Sequence, residues 1–189
     1  MPTGVAQRGL DTTPAMLTYY DAMQKLEPPD THYLFAAIGW LELGNPAEAR
    51  AEIAQVSAAQ QEYPDVLEVR WSVSAEQKRW EEALQVARAL VRRAPKRSSG
   101  WLHQAYALRR VPDGGIQKAW EALLPAVDKF PKEPTIPFNL SCYACQMRQL
   151  GAARDWLERA VAIGGKEKIY KMALTDSDLA PLWTEIREA

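Results

Sequence analysis

"LGNPAEARAEI", residues 43–53, decides how this chain folds. Asn45 can offer its side-chain oxygen to the start of a helix. Pro46 suits the first helical position, where a missing N–H costs nothing, and Glu48 stands two residues later as a third-position acid. A helix therefore begins here. It carries a small residue, Ala49, with Ile53 and Val56 four and seven places on, which is one stripe of an α-helix.

The stretch is not alone. Ala83 lies 34 residues beyond Ala49, in "KRWEEALQVARAL", Ala119 a further 36, in "GGIQKAWEALLPAV", and Ala153 a further 34, in "RQLGAARDWLERAV". Counting back 34 from Ala49 reaches Ala15 in "TPAMLTYYDAMQKL". Each alanine is followed by apolar or small residues at the same two offsets: Tyr19 and Ala22, Ala87 and Leu90, Leu123 and Ala126, Leu157 and Ala160. Five segments thus share one register. The two extra residues fall in "RRVPDGGIQ", a Pro-Asp-Gly-Gly turn where an insertion costs little. Pro28-Pro29, Pro64, Pro95 and Pro131 are expected to mark helix ends. Pro125, inside the third of these helices, is expected to bend it.

A second helical stretch precedes each of the last four alanines: "THYLFAAIGWLEL", "PDVLEVRWSVSAEQ", "SSGWLHQAYALRR" and "TIPFNLSCYACQMR". The unit is two antiparallel helices, A then B, of period near 34. This resembles the tetratricopeptide repeat, whose pattern is W-x2-L-G-x2-Y, then A-x3-F, then P. The matching residues are Tyr33, Ala36, Ala37, Trp40, Ala49 and Ile53 in the first full repeat. In the third they are Trp101, Gln104, Ala105, Leu108, Ala119, Leu123 and Pro131, and in the fourth Pro137, Leu140, Ser141, Ala144, Ala153, Leu157 and Ala160. The second repeat departs most, with Leu67, Arg70, Trp71 and Ser74, a bulky Trp where a small residue is usual. The resemblance covers residues 14 to 165. It implies an all-α fold, an α-α superhelix of roughly ten helices with no sheet.

Three regions are expected: a disordered lead over 1–13, the array over 14–165 as a half repeat plus four repeats, and capping helices over 166–189. In the last, Leu179, Leu182, Trp183 and Ile186 fall at i, i+3, i+4 and i+7, and Thr175 with Asp178 makes an N-cap pair. "ALTDSDLAPLW" is similar to tails that follow such repeats in many bacterial proteins and reads as a solubilising cap.

Composition excludes several classes. The 23 Lys and Arg are interleaved with 24 Asp and Glu, net charge −1, which argues against a nucleic-acid partner. Two cysteines make no disulfide framework. No apolar stretch approaches the roughly 20 residues that cross a membrane, and "MPTGVAQRGLDTTP" lacks a signal-peptide core, so a cytoplasmic protein is expected.

The resemblance also implies a concave binding groove, lined by the A-helix positions roughly opposite the packing seam. These are Thr31, Leu34, Ile38, Leu41 and Glu42; Asp65, Glu68, Ser72, Ala75 and Glu76; Ser99, Leu102, Tyr106, Arg109 and Arg110; and Thr135, Phe138, Cys142, Cys145 and Gln146. Members that clamp carboxyl termini of chaperones carry Lys and Asn where this chain has Leu34 and Ile38, which speaks against that ligand. Cys142-x-x-Cys145 lies on the groove side. Zinc needs about four ligands, and His32 and His103 sit in other repeats; a thioredoxin-type site needs a preceding strand. Both cysteines therefore read as small groove or packing residues. Arg109-Arg110 fits either a carboxylate clamp or a solvated helix C-terminus. Glu68 and Glu76, eight apart, lack a catalytic partner and read as a solvated face. The sequence points to a non-catalytic scaffold that binds a protein or peptide, with no cofactor and no metal. The alternatives are a structural subunit that self-associates or docks in a larger assembly, and a redox or metal protein using the cysteine pair.

Overall fold

The computed structural model describes residues 26–188. The lead over 1–13 and most of the half repeat, including Ala15, Tyr19 and Ala22, lie outside the described residues. Among the described residues there are α-helices and short 3-10 turns and no strand.

The helices come in pairs. Asp30–Glu42 (α1) pairs with Pro46–Ile53 (α2), and Pro64–Glu76 (α3) with Trp80–Arg93 (α4). Ser98–Leu108 (α5) pairs with Ile116–Leu123 (α6), which continues after a break as Ala126–Lys129 (α7). Thr135–Gln146 (α8) pairs with Leu150–Gly164 (α9). After the last pair come Lys166–Ala173 (α10), a 3-10 segment over Ser177–Leu182, and Trp183–Glu188 (α11). The first three A helices start at 30, 64 and 98, on the 34-residue period.

The registered alanines carry the core. Ala49, Ala83, Ala119 and Ala153 are each fully buried. A side chain that small lets an A and a B helix approach closely. Ala37 and Ala105 do the same from the A helices. At the equivalent place in the fourth repeat is Ser141, whose hydroxyl donates to the Ala153 carbonyl at 2.7 Å, so its burial leaves no polar group unpaired.

The turn from A to B is equally regular. In repeats one, two and four it closes with the same two backbone bonds: Gly44 N to Leu41 O and Asn45 N to Trp40 O, Lys78 N to Ala75 O and Arg79 N to Ser74 O, Arg148 N to Cys145 O and Gln149 N to Ala144 O. The first residue of each pair is left-handed: Gly44 at φ 71, Lys78 at 56, Arg148 at 60. The third repeat has Pro112 at that register, and proline cannot adopt positive φ. Its two extra residues rebuild the turn. Gly115, at φ 112, donates to the Leu108 carbonyl at 2.9 Å. A Cβ on Gly114 would sit 1.8 Å from that same carbonyl oxygen. This turn is tight, not slack.

Asn45 caps α2 as expected, its Oδ1 accepting from Glu48 N at 3.3 Å with Pro46 first in the helix. Pro125 splits the third B helix into α6 and α7. Three details differ from the sequence reading. Pro64 does not stop a helix: it opens α3, because the first turn needs no N–H there. The first B helix already ends at Ile53, and Val56 is buried from a loop. That loop is tied back by Asp30, which accepts from Ser57 N at 2.8 Å and from Ser57 Oγ at 2.6 Å. In the tail, Asp176 rather than Thr175 caps the 3-10 segment, accepting from Asp178 N at 3.0 Å, while the Thr175 hydroxyl bonds back to Met172 O at 2.8 Å. Pro181 falls inside, and the apolar stripe runs over a 3-10 segment and then a short helix. Leu179, Leu182 and Ile186 are still buried, since their spacing faces one side in either helix type.

Candidate functional site

The A helices carry the groove positions, and the structure sorts these by depth. Position by position, Ile38, Ser72 and Tyr106 are equivalent and each is partly exposed. Leu41, Ala75 and Arg109 are equivalent and also partly exposed, as are Thr31, Ser99 and Thr135. Glu42, Glu76 and Gln146 at the helix ends are exposed. Leu34 is 0% exposed and Phe138 5%. Their register faces the next repeat: Glu68, at the same place in α3, accepts hydrogen bonds from Ser99 Oγ and from His103, both on α5. Asp65 is buried and pairs with Arg97 at 2.5 Å across the same boundary; burial raises its pKa, with Arg97 opposing. Leu34, Asp65 and Glu68 therefore hold repeats together, and Glu76 does not meet Glu68 as a carboxylate pair.

At the middle of the array is a cluster that the groove positions alone did not include. The Trp71 ring lies flat on His103, centroids 3.6 Å apart at 8°, and meets the edge of Tyr106 at 5.9 Å. Trp80 approaches Tyr106 at 5.9 Å, tilted by 59°. The Arg110 guanidinium covers Tyr106 at 3.4 Å and Trp80 at 5.0 Å and donates to the Tyr106 carbonyl at 2.9 Å. A cation over two rings is favoured by their quadrupoles. Burial pulls the Arg110 pKa down, with Tyr106 opposing. Trp71 is the residue that breaks the small-residue pattern of the second repeat, and that departure was the sequence signal for this cluster. Leu102 and Leu41, partly exposed, add apolar surface to the same A-helix face.

Arg109 and Arg110 part company. Arg109 is ion-paired with Asp178 of the C-terminal segment, and it lies 5.9 Å from the Tyr143 ring. Burial disfavours its charge, but Asp178 more than offsets that and its pKa rises. Arg109 thus holds a carboxylate of the chain itself.

Cys142 and Cys145 are free thiols, 2% and 4% exposed. Cys142 Sγ faces Asp176 Oδ2 at 3.8 Å. Burial pushes both thiols above the ordinary range, with Asp176 and Asp178 adding to the effect at Cys142. Among the described residues no group of three or more His, Cys, Asp or Glu side chains converges as a metal site would, and no helix is long and apolar enough to cross a membrane.

No family model matches this chain, and no curated protein does. Solved structures do. The MamA RS-1 ArsTM double mutant superposes with a TM-score of 0.62 at 17% identity, over 86% of each chain. TTC0263, a thermophilic TPR protein of Thermus thermophilus, superposes with a TM-score of 0.62 at 15% identity, over 84% of this chain and 95% of that one. At such identities the likeness concerns backbone architecture. With the registered alanines and the repeated turn, it makes this chain an all-α tetratricopeptide-type solenoid.

Proposed function

We propose that the chain is a non-catalytic scaffold that binds a segment of a protein partner along the concave face of its A helices. The observation that carries this reading is the aromatic and cationic cluster around Tyr106. Rigid rings and an arginine, partly exposed and already held in place, are the side chains that anchor protein interfaces at low entropic cost. Ile38, Leu41 and Leu102 extend the apolar side of the surface, and Glu42 and Glu76 edge it with negative charge. Apolar burial supplies most of the affinity on this reading, because exposed charge pairs contribute only about 0–1 kcal/mol each. The charges set direction and association rate.

The test is a pulldown with the purified chain, followed by quantitative binding of the captured partner. Tyr106→Ala is expected to weaken binding by more than about 1 kcal/mol, roughly fivefold. Glu158→Ala, on the exposed side of α9, is expected to leave it unchanged. Equal affinity of the two variants would assign the partner to another surface.

A further inference from the structure

The C-terminal segment lies where a bound partner would lie. After the fourth repeat, α10 packs along α9, but the 3-10 segment then turns back onto α8. Asp178 in it reaches Arg109, the residue just past the end of α5, and α8 follows α5 as the next A helix in the array. Packed helices are about 8–10 Å apart, so a helix simply extending the array would be about twice that from α5. The Asp178–Arg109 pair, with Cys142 Sγ 3.8 Å from Asp176 Oδ2, places the segment against the groove positions of α8. Burial agrees. Ile38, Ser72 and Tyr106 keep solvent access with an A helix beside them, whereas the equivalent Cys142 is 2% exposed.

We propose that the concave face of the third and fourth repeats is a site for an acidic, leucine-bearing peptide segment of a partner protein, and that residues 175–187 occupy it as an intramolecular competitor. This rests on the groove reading above and names the chemistry that the C-terminal half of the groove accepts. Arg109 takes a carboxylate. Leu179 and Leu182 are buried in the same apolar cluster as Phe138, Cys142 and Cys145. The spacing is therefore an acid followed directly by one leucine and, three places later, by another. The occupant is built to leave. It is a 3-10 segment containing Pro181 and a six-residue helix, lengths that do not persist alone in water. Its other polar ties include Trp183 Nε1 to the Ala173 carbonyl at 2.8 Å, a solvent-exposed Arg154–Glu185 pair at 2.7 Å, Cys142 Sγ to Asp176 Oδ2 at 3.8 Å and the Thr175 hydroxyl to the Met172 carbonyl at 2.8 Å. A tethered segment competes at an effective concentration on the order of millimolar, so a partner enters only by binding the open face more tightly than the tail does.

The chain carries its own reporter, because its two cysteines are buried in the same apolar cluster as Leu179 and Leu182, and only an accessible thiolate attacks a disulfide reagent. In the full-length protein, the reaction of both thiols with an aromatic disulfide reagent is expected to be slow. Asp178→Lys, which sets a cation against Arg109, is expected to speed it at least tenfold while circular dichroism keeps its helical signal. A synthetic peptide of residues 175–187, added in trans at saturation, is expected to slow it again at least tenfold. The same peptide carrying Asp178→Lys is expected not to protect. Arg109→Glu combined with Asp178→Lys restores the slow reaction, which separates a released segment from a damaged fold. Thiols that stay closed in Asp178→Lys, or that open and are not protected by the peptide, overturn the proposal. A partner that is lost on Tyr106→Ala yet indifferent to Asp178→Lys would also sink it, and would leave the groove reading intact.

Discussion

Asp30 illustrates how one side chain fixes a loop. Its carboxylate takes both a hydroxyl and a backbone N–H from Ser57, which secures the stretch between α2 and α3. Those two bonds, the hydroxyl first, hold its pKa below the ordinary value of 3.8. A folded pKa below the unfolded one means stability that is complete above the ordinary carboxylate range and lost as pH falls through the lowered folded value. Asp30→Asn is expected to lower the melting temperature at pH 7. The gap to the parent chain should stay constant down to about pH 5 and narrow in more acid solution. Melting curves across that range check it, and a gap independent of pH would show that the charge is not what holds the loop. The sequence reading begins α1 at Thr31, and nothing in the sequence marks Asp30 as the anchor of a loop 27 residues away, because Ser57 carries no local mark of its partner.

At the scale of the element, the A-to-B turn is the most uniform feature of the array. It asks for a left-handed residue at one register, and only the first repeat answers with glycine. Lys78 and Arg148 adopt that conformation against an intrinsic cost of about 1–2 kcal/mol for a residue with a Cβ. Glycine avoids the cost but gives back part of the gain through the freer unfolded chain. Lys78→Gly and Arg148→Gly are each expected to stabilise the fold by about 0.5–1 kcal/mol, seen as a rise of a few degrees in melting temperature. Destabilisation by either would mean that the side chain holds the turn by contacts that outweigh backbone strain. The sequence located the first of these turns through the helix start at Asn45-Pro46 and the others through the gap between each A stretch and its registered alanine. It did not expose why the third repeat needs two more residues. That became clear once Pro112 was seen to occupy the left-handed register.

For the whole molecule, the C-terminal 3-10 segment packs back onto α8. Deleting residues 175–189 removes the cover over Phe138, Cys142 and Cys145, along with Leu179, Leu182 and Ile186 from the core. Exposed apolar strips of this kind favour association. The truncated chain is expected to melt at lower temperature and to elute from gel filtration as larger species. A monodisperse product with an unchanged melting temperature would show that the segment covers nothing of consequence.

The sequence by itself determined the helical class, the pairing of A with B and the register of the array. Those follow from the spacing of Ala49, Ala83, Ala119 and Ala153, and periodicity is a local property that a chain displays before it folds. It also placed Tyr106, Arg109 and Arg110 on one helix face. Only the tertiary structure decided which face positions stay open. Leu34, Asp65 and Glu68 belong to the seams between repeats, because their side of the helix meets the next A helix, a geometry set by the packing of separate units. Only the fold brought Trp71 onto His103, and only the fold brought Asp178 to Arg109. Contacts between residues some 30 to 70 positions apart depend on where the chain turns back, and no short-range pattern encodes that.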